Sequence, residues 1–221
     1  MTLEQEFLDQ DLLARIGIVD PHSLAQLAFI ATRIRQGPIV EIGPWLGRVS
    51  RTVARYSHPL VDLHLVDTWR SDSGLGLGFM LNQLDHYREF CPQVPAEEFQ
   101  RLQALTDRKE TTLAACREVM EPYLNRVQFH QMLSQDYVWP SSVEWAIIDG
   151  SDRAQQTSHD IESALSRGAL VTVLNPQARQ LSINTAVQLY QTSAVTTGSL
   201  AHLLDVNRQH RDTILDLRCR E

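Results

Sequence analysis

The sequence has few cysteines and no long apolar run. Its three cysteines, Cys91, Cys116 and Cys219, lie far apart and form no CxxC pair, which argues against a disulfide framework and a cysteine zinc site. No apolar run approaches the ~20 residues that a membrane-spanning helix needs, so no membrane partner is expected. Residues 1–11 are acidic and polar and lack the features of a signal peptide. These absences favour free thiols and a cytoplasmic location.

The chain also lacks an excess of basic residues. It carries 20 Lys and Arg against 27 Asp and Glu, which gives a formal net charge of −7. Nonspecific nucleic-acid binding depends on clustered Lys and Arg that neutralise phosphates, so no nucleic-acid partner is expected. The length of 221 residues and the hydrophobic share of 43% are typical of one soluble α/β domain with a sizeable core.

Apolar runs and helical periodicities alternate along the chain. Residues 1–19 read as a leader, Asp20-Pro21 predicts the start of a helix, and Gly37-Pro38 predicts its end. Strands are predicted at 39–42, 61–66, 127–130, 143–148, 169–174, 199–204 and 213–217, and later helices at about 111–124, 155–166 and 182–191. This βαβ alternation predicts a mostly parallel sheet with helices on both faces.

We therefore predict one domain over residues 20–221, interrupted by a long insertion. The insertion covers residues 70–112 and begins with a glycine-rich stretch at 73–78. Long insertions after a strand are places where lids and substrate pockets form, although a surface excursion without function remains the alternative.

A glycine-containing loop follows the first predicted strand and opens a helix. Gly43 and Gly47 would let a ligand approach the backbone closely. A dinucleotide fingerprint has a glycine in the middle of this loop, but here Trp45 stands there, and Glu41 would repel a phosphate and suit a cationic amino group. Asp67 follows Gly47 by 20 residues and ends the second predicted strand. A carboxylate there can accept both hydrogen bonds of a ribose diol, the alternative being a cap or turn acid.

Ligands of open α/β sheets bind outside the carboxyl ends of the strands, so polar residues at those ends are site candidates. The candidates in this sequence are Glu41, Asp67, Ser134-Gln135, Asp149 and Asn175.

Four segments carry a resemblance to a known family. Residues 39–50, IVEIGPWLGRVS, resemble the first motif of class I S-adenosylmethionine (SAM)-dependent methyltransferases, in particular the sugar, macrolide and catechol-type O-methyltransferases. Residues 65–69 resemble that family's second strand end, and residues 132–136 are similar to its G-x-S-Q-D stretch. Residues 147–152 resemble its D-G-D-H stretch, with Asp160 matching an aspartate on the following helix. The resemblance covers residues 20–217.

The resemblance implies a Rossmann-like seven-stranded sheet with an antiparallel last strand, and SAM as the cofactor. Glu41 would face the methionine end, Asp67 would bind the ribose, and Ser134 and Gln135 would border the adenine. Asp149 would lie near the sulfonium and the acceptor, and it is the implied catalytic residue. The implied cofactor contacts together are Glu41, Gly43, Trp45, Gly47, Asp67, Thr68, Trp69, Ser134, Gln135 and Asp149.

The reaction that the resemblance implies is O-methylation of a small molecule or a sugar hydroxyl. Methyl transfer from a sulfonium is an in-line displacement in which positioning supplies much of the rate. A hydroxyl acceptor also needs a general base or a metal to take its proton. The candidate bases are Asp149, Asp152, His159 and His86.

Several positions depart from the family pattern and keep other interpretations open. Met132 replaces a glycine, Val49 a serine, Asp152 a histidine, and Leu174-Asn175 the usual polar ending of the next strand. Asp149 with Asn175 is a small ligand set for Mg²⁺, which prefers several hard oxygen ligands, so no metal is expected. A methyltransferase-fold protein that works by binding is the second interpretation. A nicotinamide oxidoreductase is the third, which Trp45 and Glu41 disfavour.

Overall fold

The computed structural model describes residues 3–17, 19–70, 94–108, 110–150 and 154–174, and the backbone of the strands at 200–206 and 214–220. The helix predicted at 182–191 and residues 71–93 of the insertion lie outside the described residues. So do Asp152, Asn175 and His86.

Helices and strands alternate along this part of the chain. The helices are α1 (Leu3–Phe7), α2 (Gln10–Leu13), α3 (Pro21–Ala31), α4 (Arg48–Tyr56), α5 (Ala96–Asp107), α6 (Thr112–Val119) and α7 (Ala154–Leu165), with 3₁₀ turns at Glu121–Arg126 and Ser134–Asp136. The strands are β1 (Ile39–Ile42), β2 (Leu63–Asp67), β3 (Val127–Gln131), β4 (Trp145–Ile148), β5 (Leu170–Val173), β6 (Leu200–Val206) and β7 (Ile214–Arg220).

The strands form one sheet in the order β3-β2-β1-β4-β5-β7-β6. The first five run parallel, and β1 lies at the middle of them, with Ile42 level with Val66 of β2 and Ile148 of β4. β7 is hydrogen-bonded antiparallel to β5 and to β6. The predicted α/β class with a parallel sheet and helices is confirmed.

Two helix ends differ from the sequence prediction. The predicted helix start at Asp20 is correct, because its carboxylate accepts the Ser23 N–H at 3.1 Å and Pro21 takes the first helical position. The helix ends at Ala31, well before Gly37. The single helix predicted at 111–124 is wrong: α6 ends at Val119 and a 3₁₀ turn follows, since Pro122 lacks the N–H that an α-helix interior needs.

The chain is divided between two compact units. The helical unit comprises Met1–Arg33, Pro44–Pro59 and Thr68–Val127, and the sheet unit comprises Ile34–Gly43, Leu60–Asp67 and Gln128–Glu221. The division into a leader and one domain stays a prediction. None of the helices in the described ranges is long and apolar enough to cross a membrane.

The core of the sheet unit packs against α7. β1 and β4 are buried at every position, as expected for strands covered on both faces. The buried cluster joins strand residues to one face of the helix and includes Val40, Ile42, Ala146, Ile148, Ile161, Ala164 and Leu165. This packing fixes α7 relative to the strand ends.

Glu144 holds the start of β1 beside the start of β4. Its carboxylate accepts the backbone N–H groups of Arg35, Gln36 and Gly37 at 2.8–3.2 Å, and its own N–H donates to Pro38 O at 3.1 Å. Hydrogen bonds from amides to a carboxylate are stronger than neutral ones. The starts of β1 and β4 are therefore held in a fixed register, and this register also aligns the carboxyl ends of the two strands.

Two arginines of α4 organise the helical unit. The Arg48 guanidinium, 3% exposed, donates to the carbonyls of Leu12, Gly17 and Val19. Arg51 donates to the Asp11 carboxylate at 2.5 and 3.0 Å. These bonds attach residues 11–19 to α4, the helix that follows the Gly43–Gly47 loop in the chain.

Candidate functional site

Four strands of the sheet unit end together at one edge. The Gly43 N–H donates to Val66 O at 2.9 Å, and the Asp149 N–H donates to Ile42 O at 2.8 Å. The Met132 N–H donates to Asp67 O at 3.0 Å, which carries the alignment on to the end of β3. The sequence-predicted residues of this unit therefore lie at the carboxyl ends of neighbouring strands, where open α/β sheets bind ligands.

Gly43 lets the loop after β1 lie directly against the loop after β4. Its φ is +85°, in the left-handed region. A Cβ at this position would lie 2.5 Å from Gly150 Cα and 2.7 Å from the Asp149 carbonyl carbon, which are backbone atoms that cannot move aside. A Cβ on Gly150 would lie 2.9 Å from Ile42 Cγ2. The two backbones can lie this close only because both Gly43 and Gly150 lack a Cβ.

Three carboxylates are carried by the central strands at this edge. Glu41 lies within β1 and is 2% exposed, whereas Asp67 of β2 and Asp149 after β4 are half-buried. Since β2 and β4 pair with opposite sides of β1, Asp67 and Asp149 flank its end. Such an edge attracts cations and accepts hydrogen bonds from hydroxyl and ammonium groups, and it opposes phosphates.

Ser134 and Gln135 lie on the 3₁₀ turn that follows β3. Ser134 is half-buried and Gln135 is exposed. The Gln156 side-chain amide of α7 donates to Ser134 Oγ at 2.8 Å and to Asp160 Oδ1 at 3.1 Å. The turn is therefore attached to α7 by the hydrogen bond between Ser134 and Gln156.

Asp160 is the buried end of this hydrogen-bonded group. It is fully buried, and Oδ2 has no hydrogen-bond partner. Burial raises the pKa of Asp160 to about 6, although hydrogen bonds from Ser134 and Gln156 and the charge of His159 act to lower it. In the sequence, Asp160 carries a resemblance to the family but no assigned role. Gln156 was not predicted, and its only signal in the sequence is its position four residues before Asp160 on the same helix.

A second group, also missed from the sequence, supports the same turn. The Tyr137 hydroxyl lies 2.7 Å from His64 Nδ1, and His130 Nε2 lies 3.2 Å from that nitrogen. Burial lowers the pKa of both histidines, His130 lowers that of His64 further, and burial raises the pKa of Tyr137. Neutral imidazoles and a protonated hydroxyl therefore anchor the segment after Asp136 to β2 and β3.

The other four sequence-predicted residues belong to the helical unit. Trp45 and Trp69 both have positive φ, 47° and 42°, and the Trp69 indole N–H donates to Trp45 O at 3.0 Å. A non-glycine residue in this region costs roughly 1–2 kcal/mol, and such strain concentrates at functional sites. Thr68 is half-buried, and a Cβ on Gly47 would lie 2.9 Å from Cys116 Sγ.

The candidate bases and metal ligands are only partly described. Asp149 is half-buried at its strand end, and His159 is exposed on α7. Among the residues that the structure describes, no group of three or more His, Cys, Asp or Glu is placed to hold a metal ion.

Solved structures share this architecture. No family model matches the sequence. No curated protein matches it either. The O-methyltransferase TomG from Streptomyces achromogenes, solved with SAM, is 15% identical at a TM-score of 0.55, over 98% of each chain. An O-methyltransferase from Bacillus cereus, solved with S-adenosylhomocysteine (SAH), is 14% identical at 0.54, over 98% of this chain and 90% of that chain.

A protein from Pyrococcus horikoshii that has been proposed to be an RNA methyltransferase is also similar. It is 10% identical at a TM-score of 0.50, over 99% of this chain and 96% of that chain. At such identities these likenesses show the fold. The resemblance to class I SAM-dependent methyltransferases is confirmed at that level, with O-methyltransferases among the similar structures.

Replacing Gly43 by alanine tests the close backbone contact. We expect Gly43→Ala to lower the free energy of unfolding by the strain of a left-handed alanine, about 1–2 kcal/mol, and by about 1–3 kcal/mol more for overpacking. The matched control is Gly168→Ala, at which φ is +72° and nothing lies within 4 Å of the added Cβ. Urea unfolding of both variants measures the difference. Equal losses would contradict the role of the Gly43–Gly150 contact.

Asp160 should make stability depend on pH between 3.8 and about 6, the pKa values of the ordinary and the buried carboxyl. The native state holds this proton more tightly than the unfolded chain, so the stability that protonation contributes is complete below pH 3.8 and is lost as pH rises through 6.

Asp160→Asn has no ionisable group at this position, so its stability should not fall for this reason as the pH rises. Its stability relative to wild type should therefore rise by up to about 3 kcal/mol between pH 4 and pH 7.5. Urea unfolding at the two pH values measures the change, with Glu162→Gln on the same helix as the control. A difference between Asp160→Asn and wild type that does not vary with pH would refute the assignment.

Proposed function

We propose that this protein binds SAM at the carboxyl edge of its parallel sheet and is an O-methyltransferase acting on a small molecule or a sugar hydroxyl. The observation that carries the proposal is the group of three carboxylates, Glu41, Asp67 and Asp149, around the close-packed Gly43. This group is found in a fold that other methyltransferases share. The proposal includes the seven-stranded sheet with an antiparallel last strand that the resemblance implies, and the antiparallel pairing of β7 with β5 supports it.

The chemistry of the edge fits a cationic nucleoside better than a dinucleotide. SAM carries a sulfonium, an ammonium and a ribose diol, which are the groups that carboxylates favour. Glu41 is proposed to face the methionine end, and Asp67 to accept the hydroxyls of the ribose. Ser134 and Gln135 are proposed to border the adenine.

The resemblance adds four residues that follow β1 and β2 in the chain: Trp45, Gly47, Thr68 and Trp69. The strained backbones of the two tryptophans support a functional role for them. TomG was solved with SAM and the Bacillus cereus enzyme with SAH, so structures of this fold are known to hold the proposed cofactor and its product.

Asp149 is the proposed catalytic residue. The bound cofactor would supply an electrophilic methyl group. A hydroxyl acceptor loses its proton when its oxygen is methylated, and Asp149 offers a half-buried carboxylate oxygen at the strand end for that proton. Positioning supplies much of the rate of such a displacement. The main requirement on the site is therefore to hold the acceptor oxygen in line with the methyl group and the sulfur of the cofactor.

A small molecule is the acceptor class that the observations favour. TomG, an O-methyltransferase involved in tomaymycin synthesis, supports this choice. The net charge of −7 disfavours RNA, the acceptor suggested by the Pyrococcus horikoshii protein, because phosphates need basic partners. A cytoplasmic location belongs to the same proposal, since the three cysteines form no recognisable pairing pattern.

Calorimetric titration with SAH tests the cofactor site. We expect micromolar binding by the wild-type protein. Asp67→Ala should weaken it by about 5–150-fold, the equivalent of about 1–3 kcal/mol for unpaired buried polar groups. The control is Asp62→Ala, an exposed acid just before β2 at the opposite edge of the sheet.

The results of these titrations distinguish cofactor binding, the ribose assignment and the methyl-transfer activity. Absence of wild-type binding would reject the cofactor, and unchanged affinity in Asp67→Ala would reject the ribose assignment. SAH binding without turnover on hydroxyl acceptors would favour the second interpretation of the sequence, a methyltransferase-fold protein that acts by binding.

A further inference from the structure

Two tryptophans with left-handed backbones are joined by one hydrogen bond. The φ angles of Trp45 and Trp69 are 47° and 42°, and the Trp69 indole N–H donates to the Trp45 carbonyl at 3.0 Å. Residues other than glycine rarely adopt such angles, and they keep them only where surrounding contacts hold them. The indole hydrogen bond is a contact of this kind, because it binds the backbone of Trp45 itself.

Trp45 lies in a tight turn that leads into α4. The Gly47 N–H donates to Pro44 O at 2.8 Å, which closes the turn around Trp45 and Leu46. Gly47 is the N-cap of α4 and also has a left-handed φ, 85°. The Trp45 side chain packs against a buried apolar cluster that includes Leu46 and Phe99. The turn, the side-chain packing and the indole hydrogen bond therefore act together on the strained residue.

Trp69 differs from Trp45 in its exposure. Trp69 is 2% exposed, whereas Trp45 is half-buried. An indole has one N–H and no acceptor, and Trp69 uses that N–H on the Trp45 carbonyl. The Trp69 side chain therefore offers almost no surface to a ligand. Its influence on a ligand passes through the residue that it holds.

We infer that Trp69 is a positioning residue, whose indole N–H holds Trp45 in its left-handed conformation and so keeps the turn at 44–47 in the shape that binds the cofactor. This inference rests on the proposed function, in which Trp45 and Gly47 contact SAM. When a ligand binds one conformation of a loop, its apparent affinity falls with the fraction of molecules in that conformation. Loss of the indole hydrogen bond lowers that fraction, because the strain at Trp45 then favours other conformations.

Calorimetric titration of Trp69→Phe with SAH tests the inference. Phenylalanine keeps an aromatic ring but has no N–H. We expect the variant to bind SAH about 3–10-fold more weakly than wild type, the equivalent of one lost hydrogen bond. The matched control is Trp145→Phe in the sheet unit, at a 0% exposed tryptophan whose indole N–H donates to Thr172 Oγ1 at 3.0 Å. This control loses the same kind of hydrogen bond and should keep the wild-type affinity.

A second substitution, Trp45→Gly, identifies the group through which Trp69 acts. Glycine adopts a positive φ without strain, so the turn depends less on the indole hydrogen bond. In the Trp45→Gly background, Trp69→Phe should therefore weaken SAH binding by about twofold or less. An equal loss in both backgrounds overturns the inference, because Trp69 would then affect the ligand without the strained backbone of Trp45.

Exchange of the Trp69 indole proton, followed by nuclear magnetic resonance, tests the same bond in the wild-type protein. We expect slow exchange in the free protein and slower exchange with SAH, because the ligand selects molecules in which the bond is formed. An exchange rate that SAH does not change overturns the inference. So does an SAH affinity that Trp69→Phe leaves unchanged, or that Trp69→Phe and Trp145→Phe lower equally, while the proposed function stands. Absence of SAH binding by wild type removes both.

Discussion

The contact between the backbones at Gly43 and Gly150 is the constraint on which the candidate site depends. A left-handed residue without a Cβ lets the loop after β1 lie against the loop after β4. This contact continues the strand alignment set at the other edge by Glu144, whose carboxylate binds the chain just before β1. With both ends of the central strands fixed, the carboxylates of Asp67 and Asp149 lie on either side of β1.

Burial also influences the protonation of the polar side chains near this edge. Asp160 is enclosed against the apolar face that joins α7 to the sheet, so its ionisation depends on Ser134 and Gln156. The imidazoles of His64 and His130 are kept neutral by burial and hold the Tyr137 hydroxyl. The 3₁₀ turn between these two groups is therefore held on both sides.

Local features were predictable from the sequence, and contacts between distant segments were not. The capping aspartate at position 20 and the bounds of β1 follow from short-range rules. Pro122 is a local signal too, and it accounts for a helix shorter than the one predicted at 111–124. The group of Ser134, Gln156 and Asp160 joins a turn to a helix 22 residues later, and that spacing has no sequence signature. The left-handed conformations of Trp45 and Trp69 had no local signal, because residues other than glycine rarely adopt a positive φ.

Hydrogen exchange of the protein with and without SAH measures directly whether the carboxyl edge of the sheet binds a nucleoside cofactor. We expect slower amide exchange in residues 39–50, 63–69 and 132–137 when SAH is present. We expect no change in residues 35–37, whose amides bind Glu144 at the opposite edge. Protection that is absent from the strand ends, or that appears only elsewhere, would contradict cofactor binding at this edge.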